Sequence, residues 1–135
     1  MQRLRTVLLR HARRGDTHFD WMFETPGPRA AAEPMTTFRV GVPWDAWAQL
    51  PSVPLTPRPP HRRAYLTRQG PVSGGRGFVT RVAAGTLDVL DQSAAGGTLL
   101  LHAPGTPPLE VRWRRLTDEA WELHARAFGP AAAKR

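Results

Sequence analysis

The chain contains no cysteine, which excludes disulfide staples and thiolate metal sites and leaves histidine, aspartate and glutamate as its strong metal ligands. It is almost without lysine, since all 19 of its cationic residues except Lys134 are arginine. Long apolar runs are missing too. The longest stretches, such as residues 98–101, fall far short of the roughly 20 residues a membrane-crossing helix needs. Behind the basic start Met1-Gln2-Arg3-Leu4-Arg5, the apolar piece Val7-Leu8-Leu9 is broken at once by Arg10 and His11, so no secretory apolar region forms. The expectation is a cytoplasmic protein with no membrane partner. Acidic residues are scarce as well, 11 against 19, for a formal net charge of +8. Arginine presents a planar fork that pairs bidentately with phosphate, so the expected partner is a polyanion, and nucleic acid above all.

At 135 residues the chain has the size of one domain, expected over residues 1–128 with 129–135 as a disordered tail. Its 14 prolines and 12 glycines cut it into short pieces, and most pieces alternate. Phe19, Trp21 and Phe23 point one way while His18, Asp20, Met22 and Glu24 point the other, the period of two of a half-buried strand. Leu109, Val111 and Trp113 alternate likewise with Glu110, Arg112 and Arg114. Further strands are expected over 6–11, 36–42, 61–68, 77–82, 86–91, 98–103 and 121–126. About nine short strands predict a mainly β fold, a compact antiparallel β-barrel with one or two short flanking helices. A helical turn is expected at 44–50, and a short helix over 120–126 is the alternative to the last strand. The stretches 26–34, 51–60 and 70–77 read as loops, the second as a stiff proline-rich connector. The glycines of 70–77 lack the spacing of a phosphate-binding P-loop.

If 6–11 and 18–25 pair as a hairpin, residues whose numbers sum to 29 face each other, so His11 lies opposite His18 and Leu9 opposite Asp20. His18 and Asp20 share a face, and opposed side chains start about 4.5–5.5 Å apart. Two imidazoles and a carboxylate can therefore converge on one point, a donor set for Mn²⁺, Zn²⁺ or Fe²⁺ with positions left open.

These residues resemble a known family. His11-Ala12-Arg13-Arg14 followed by His18-Phe19-Asp20-Trp21-Met22-Phe23-Glu24 is similar to the signature of the 3′-phosphoesterase domain of bacterial DNA ligase D. Thr37-Phe38-Arg39-Val40, His61-Arg62-Arg63-Ala64-Tyr65, Gln69-Gly70, Gly85-Thr86 and Trp121-Glu122-Leu123 resemble that family's later motifs in order, over positions 6 to 126. The resemblance implies a stand-alone member that removes 3′-phosphates or 3′-ribonucleotides in DNA end repair. It implies Mn²⁺ or Zn²⁺ as cofactor, and DNA or RNA-terminated DNA 3′ ends as substrate. A separate ligase or polymerase is a candidate partner. His11, His18 and Asp20 would then hold the metal, His61 would touch the scissile phosphate, and Tyr65 would support it. Met22 stands where the family has an arginine, and Val42 near its lysine. On an extended strand from His61, Arg63 and Tyr65 share its face, which makes Arg63 a catalytic candidate; Arg13, Arg14, Arg39 and Arg63 are the expected phosphate-binding residues.

Two other readings stay open. One is a nucleic-acid-binding module that keeps the barrel without catalysis. The other, remote, is a non-haem iron oxygenase using His18, Asp20 and His61 as two histidines and a carboxylate. His102 and His124 read as structural, and Trp44 and Trp47 as core. Arg62, Arg68, Arg76, Arg81, Arg112, Arg114 and Arg115 could track a nucleic-acid backbone.

Overall fold

The computed structural model describes residues 2–25, 34–67, 69–71 and 77–128. Nine strands follow in chain order: β1 (Gln2–Arg13), β2 (Asp16–Phe23), β3 (Met35–Val40), β4 (Val53–His61), β5 (Gly70–Pro71), β6 (Phe78–Ser93), β7 (Gly96–Ala103), β8 (Thr106–Arg115) and β9 (Trp121–Ala127). All pair antiparallel in one sheet ordered β1-β2-β3-β4-β9-β8-β7-β6-β5, and β1 also pairs with β6. Eight strands therefore form a ring, with β5 outside it. The fold is mainly β, as the alternation implies. The helical turn expected at 44–50 is a 3-10 segment, Trp44–Gln49, a second 3-10 segment, Arg63–Leu66, stands where a strand was expected, and residues 121–127 are strand rather than helix. Among the described residues no helix is long and apolar enough to cross a membrane. Residues 26–33 of the expected loop at 26–34, residues 72–76 of that at 70–77, and the tail at 129–135 lie outside the described residues.

The alternating aromatics fill the ring. Trp21 and Phe23 point inward from β2 and meet Phe38, Trp47 and Trp113, with Trp21 and Trp47 edge to face at 5.1 Å. Trp44 and Trp47 are core, as expected. Two indole N–H groups of this interior find acceptors: Trp21 Nε1 donates to Thr6 Oγ1 at 3.0 Å, which in turn donates to the Met22 carbonyl at 2.7 Å, and Trp47 Nε1 donates to the Val42 carbonyl at 3.0 Å.

Three expectations are corrected. Residues 51–60 are not a connector, since β4 runs through them and pairs with β3 on one side and β9 on the other. Proline lacks the N–H a central strand donates and survives only where one edge is open. β9 reaches only Val53–Leu55, and Pro57, Pro59 and Pro60 all lie beyond it. The strand expected over 61–68 is not formed beyond its first residue: β4 ends at His61 and the chain turns into the second 3-10 segment, while Arg68 lies outside the described residues. The two strands expected at 77–82 and 86–91 are one, β6. Gly85, which suggested a break, is a point of close approach, where a Cβ would lie 2.2 Å from the His102 carbonyl oxygen.

A second apolar cluster lies on the outside of the ring. Val7 and Leu9 of β1, Met22 of β2, Met35 of β3 and Val79 of β6 are buried there with Leu66, and Tyr65 packs against them. The 3-10 segment Arg63–Leu66 thus covers one patch of the outer wall. This explains why β1 is buried on both faces from Thr6 to Leu9, and β2 from Asp20 to Phe23.

The seam between β1 and β6 carries an ion pair. Arg3 donates to both oxygens of Asp88 at 2.8 and 3.0 Å, and His102 Nε2 donates to the same carboxylate at 2.9 Å. The Arg3 hydrogen bond holds the Asp88 carboxyl below its ordinary value, against the opposing effect of burial. A depressed folded value means that this stabilisation is present above the unfolded value of about 3.8 and lost as pH falls through the folded one. Asp88→Asn should lower the thermal midpoint at pH 7, and the gap to wild type should close as melts are repeated at pH values progressively below 3.8.

Candidate metal centre

The β1–β2 hairpin is closed by two residues, Arg14 and Gly15, with Gly15 at φ 75°, a conformation that glycine adopts without a steric cost. The tight turn sets the register His11↔His18, Leu9↔Asp20 and Arg13↔Asp16. Because Trp21 and Phe23 face the core, His18, Asp20 and Met22 must face outward, and His11 comes beside them. One ligand atom from each of His11, His18 and Asp20 lies within 4.8 Å of the other two. An ion with bonds of about 2.0–2.2 Å holds its ligand atoms within about 4.4 Å of one another, so the trio is within a few tenths of an ångström of coordination.

The donor chemistry fits a cation. His18 is only 8% exposed, and neither of its ring nitrogens has a hydrogen-bond partner. Its Nε2 lies 3.6 Å from Asp20 Oδ2 and its Nδ1 3.6 Å from Asp16 Oδ2, both too long for a hydrogen bond. The His11 ring stands edge-on to it at 5.0 Å. A buried polar group without a partner is costly, and a bound ion would supply one. Burial pushes His18 below its ordinary value of 6.5; Asp20 opposes this, while Arg39 and His11 act with it. His18 is therefore held in the neutral form that ligates metal.

The trio opens into a pocket of about 220 Å³ with an apolar floor of Leu9, Met22 and Val79. Three arginines, Arg13, Arg39 and Arg58, line its walls together with His61 and Tyr65. Arg39 comes from β3, where it faces Asp20 across the pair, and its Nε is buried with no partner. Arg58 comes from β4, opposite Thr37. His61 sits at the end of β4, where its Nδ1 donates to the Pro59 carbonyl at 2.9 Å. Since a carbonyl only accepts, this leaves Nε2 as the ring's other functional nitrogen. The Tyr65 ring meets the His61 ring edge to face at 5.3 Å.

Most of the expected site residues are thus brought together: His11, His18, Asp20, Arg13, Arg39, His61 and Tyr65. Arg14 is exposed at the hairpin tip and does not line the pocket. Arg63 does not line it either, because the strand that would have aimed it there ends at His61. Its guanidinium instead pairs with Glu24, whose carboxylate also accepts from the Arg5 backbone N–H. Arg63 therefore anchors the 3-10 segment that carries Tyr65. The close trio contains His11 and not His61, which departs from the His18/Asp20/His61 oxygenase arrangement. His102 and His124 are structural, the latter donating through Nδ1 to the Pro51 carbonyl. Arg58 was hidden in the sequence by the prolines around it. The signal for it was alternation on β4, legible only once 53–61 is taken as a strand. No protein-family model and no curated protein matches this chain.

Isothermal titration of the purified protein with Zn²⁺ or Mn²⁺ should show one site, lost in His18→Ala and in Asp20→Ala. Binding should weaken as pH falls, because a proton competes with the metal for a ligating imidazole nitrogen.

Proposed function

We propose that the protein is a divalent-metal-dependent phosphoesterase acting on nucleic-acid 3′ ends, similar in activity to the 3′-phosphoesterase domain of bacterial DNA ligase D. The observation that carries this reading is the convergence of two histidines and an aspartate with three arginines, His61 and Tyr65 in one pocket. Arginines lining the pocket of a metal trio suit a phosphoryl group better than a neutral substrate. Met22 leaves a gap where the resembled family has an arginine, and Arg39 and Arg58 supply positive charge to the same pocket from the next two strands.

His11, His18 and Asp20 would hold Mn²⁺ or Zn²⁺, which when bound polarises a phosphoryl oxygen and acidifies water. Arg39 and Arg58 would bind the non-bridging oxygens, and Arg13 would meet the neighbouring backbone phosphate. His61 Nε2 would donate to, or take a proton from, the oxygen that leaves or attacks. Tyr65 holds the His61 ring, while Leu9, Met22 and Val79 keep bulk water from one side of the reacting group. In this reading Arg63 acts by positioning Tyr65 and touches no substrate.

The test is an end-labelled primer–template with a 3′-phosphate or a 3′-ribonucleotide, incubated with Mn²⁺ and resolved on a gel. Release of the terminal group should disappear in Asp20→Ala and fall about 100-fold or more in Arg39→Ala and Arg58→Ala, the cost of one lost charge-stabilising donor. Duplex binding should weaken with salt, and Arg58→Ala should lower the slope of log affinity against log salt by about 1. A metal-loaded protein that binds the duplex and leaves every 3′ end intact is a binding module and not an enzyme.

A further inference from the structure

Asp16, His18 and Asp20 alternate along β2, so all three side chains leave the same face of the strand. The imidazole of His18 stands between the two carboxylates. Its Nε2 edge faces Asp20, and its Nδ1 edge faces Asp16, each at 3.6 Å. Asp16 is outside the close trio of ligand atoms, on the side of the ring away from Asp20. His18 Nδ1 is buried and without a hydrogen-bond partner, while the Asp16 side chain is 56% exposed. A carboxylate that remains in solvent can turn toward the ring with little desolvation.

We propose that Asp16 is the positioning residue of the metal centre, accepting a hydrogen bond from His18 Nδ1 so that Nε2 is the nitrogen presented to the ion. A ligating histidine needs its second nitrogen tied to an acceptor, which fixes the tautomer, orients the ring and makes the ligating nitrogen more basic. The outward face of β2 offers that acceptor two residues before the ligand. Closure of a 3.6 Å separation to hydrogen-bond distance takes well under 1 Å. The inference rests on the metal-centre reading of this site and adds to it the nitrogen through which His18 binds.

The experiment is calorimetric titration of wild type, Asp16→Ala and Asp16→Asn with Zn²⁺ alone, alongside nitrogen-15 NMR of the His18 ring in the Zn²⁺-loaded proteins. Asp16→Ala should weaken binding about 10- to 100-fold, the usual effect of removing such a partner. Asp16→Asn, whose amide oxygen still accepts from Nδ1–H, should stay within a few-fold of wild type. The loaded wild type should show a protonated Nδ1 and a metal-bound Nε2, and the slowly exchanging Nδ1–H should be lost in Asp16→Ala. Wild-type affinity in Asp16→Ala, or a loaded His18 with Nδ1 on the metal, overturns the role of Asp16 and leaves the centre standing. A wild type that binds no Zn²⁺ overturns both.

Discussion

Only Arg14 and Gly15 separate β1 from β2, and the candidate centre takes its geometry from that length. A turn one residue longer or shorter would slide the pairing and turn one strand's side chains to the opposite wall. His11 would then lose its place across from His18, and the inward file of Phe19, Trp21 and Phe23 could no longer face the core while His18 and Asp20 faced out. Core packing and ligand convergence are thus two consequences of one register. The aromatic file holds the hairpin in place with far more buried area than the polar face could supply. The site is carried by the core and does not have to stabilise itself.

The outer wall around this hairpin is unusual in being covered. Val7, Leu9 and Met22 would be an exposed apolar patch if the chain did not return through Arg63–Leu66. That return places Leu66 and Tyr65 over the patch and brings His61 to the rim, so the cover of the second apolar cluster is also one wall of the pocket. Glu24 ties the arrangement together, since it joins the Arg5 backbone of β1 to Arg63 of the returning segment. A histidine placed against this apolar floor loses water and is held neutral, which suits it to bind a cation. The arginines that line the same pocket suit it to an anion.

Residue types and their alternation were enough to find a mainly β antiparallel fold, the hairpin register and the trio His11, His18 and Asp20, because strand period and hairpin pairing act over fewer than about twenty residues; the ring itself closes through the long-range pairing of β1 with β6. Trp44 and Trp47 as core, and His102 and His124 as structural, were legible for the same reason. Arg39 was among the arginines expected at the site, and it lines the same pocket as the trio.

Tertiary structure decided what local pattern left ambiguous. Pro57, Pro59 and Pro60 argue against a strand when read alone, yet β4 forms because β9 stops short and leaves them an open edge. Arg58 reaches the pocket only through that pairing. Arg63 was expected on a strand that in fact ends two residues earlier, and the buried carboxylate of Glu24, far away in sequence, takes its charge instead. Period and spacing report which face of its own strand a side chain leaves. Which strand lies beside it, and which distant charge meets it there, depends on long-range pairing that local pattern does not encode.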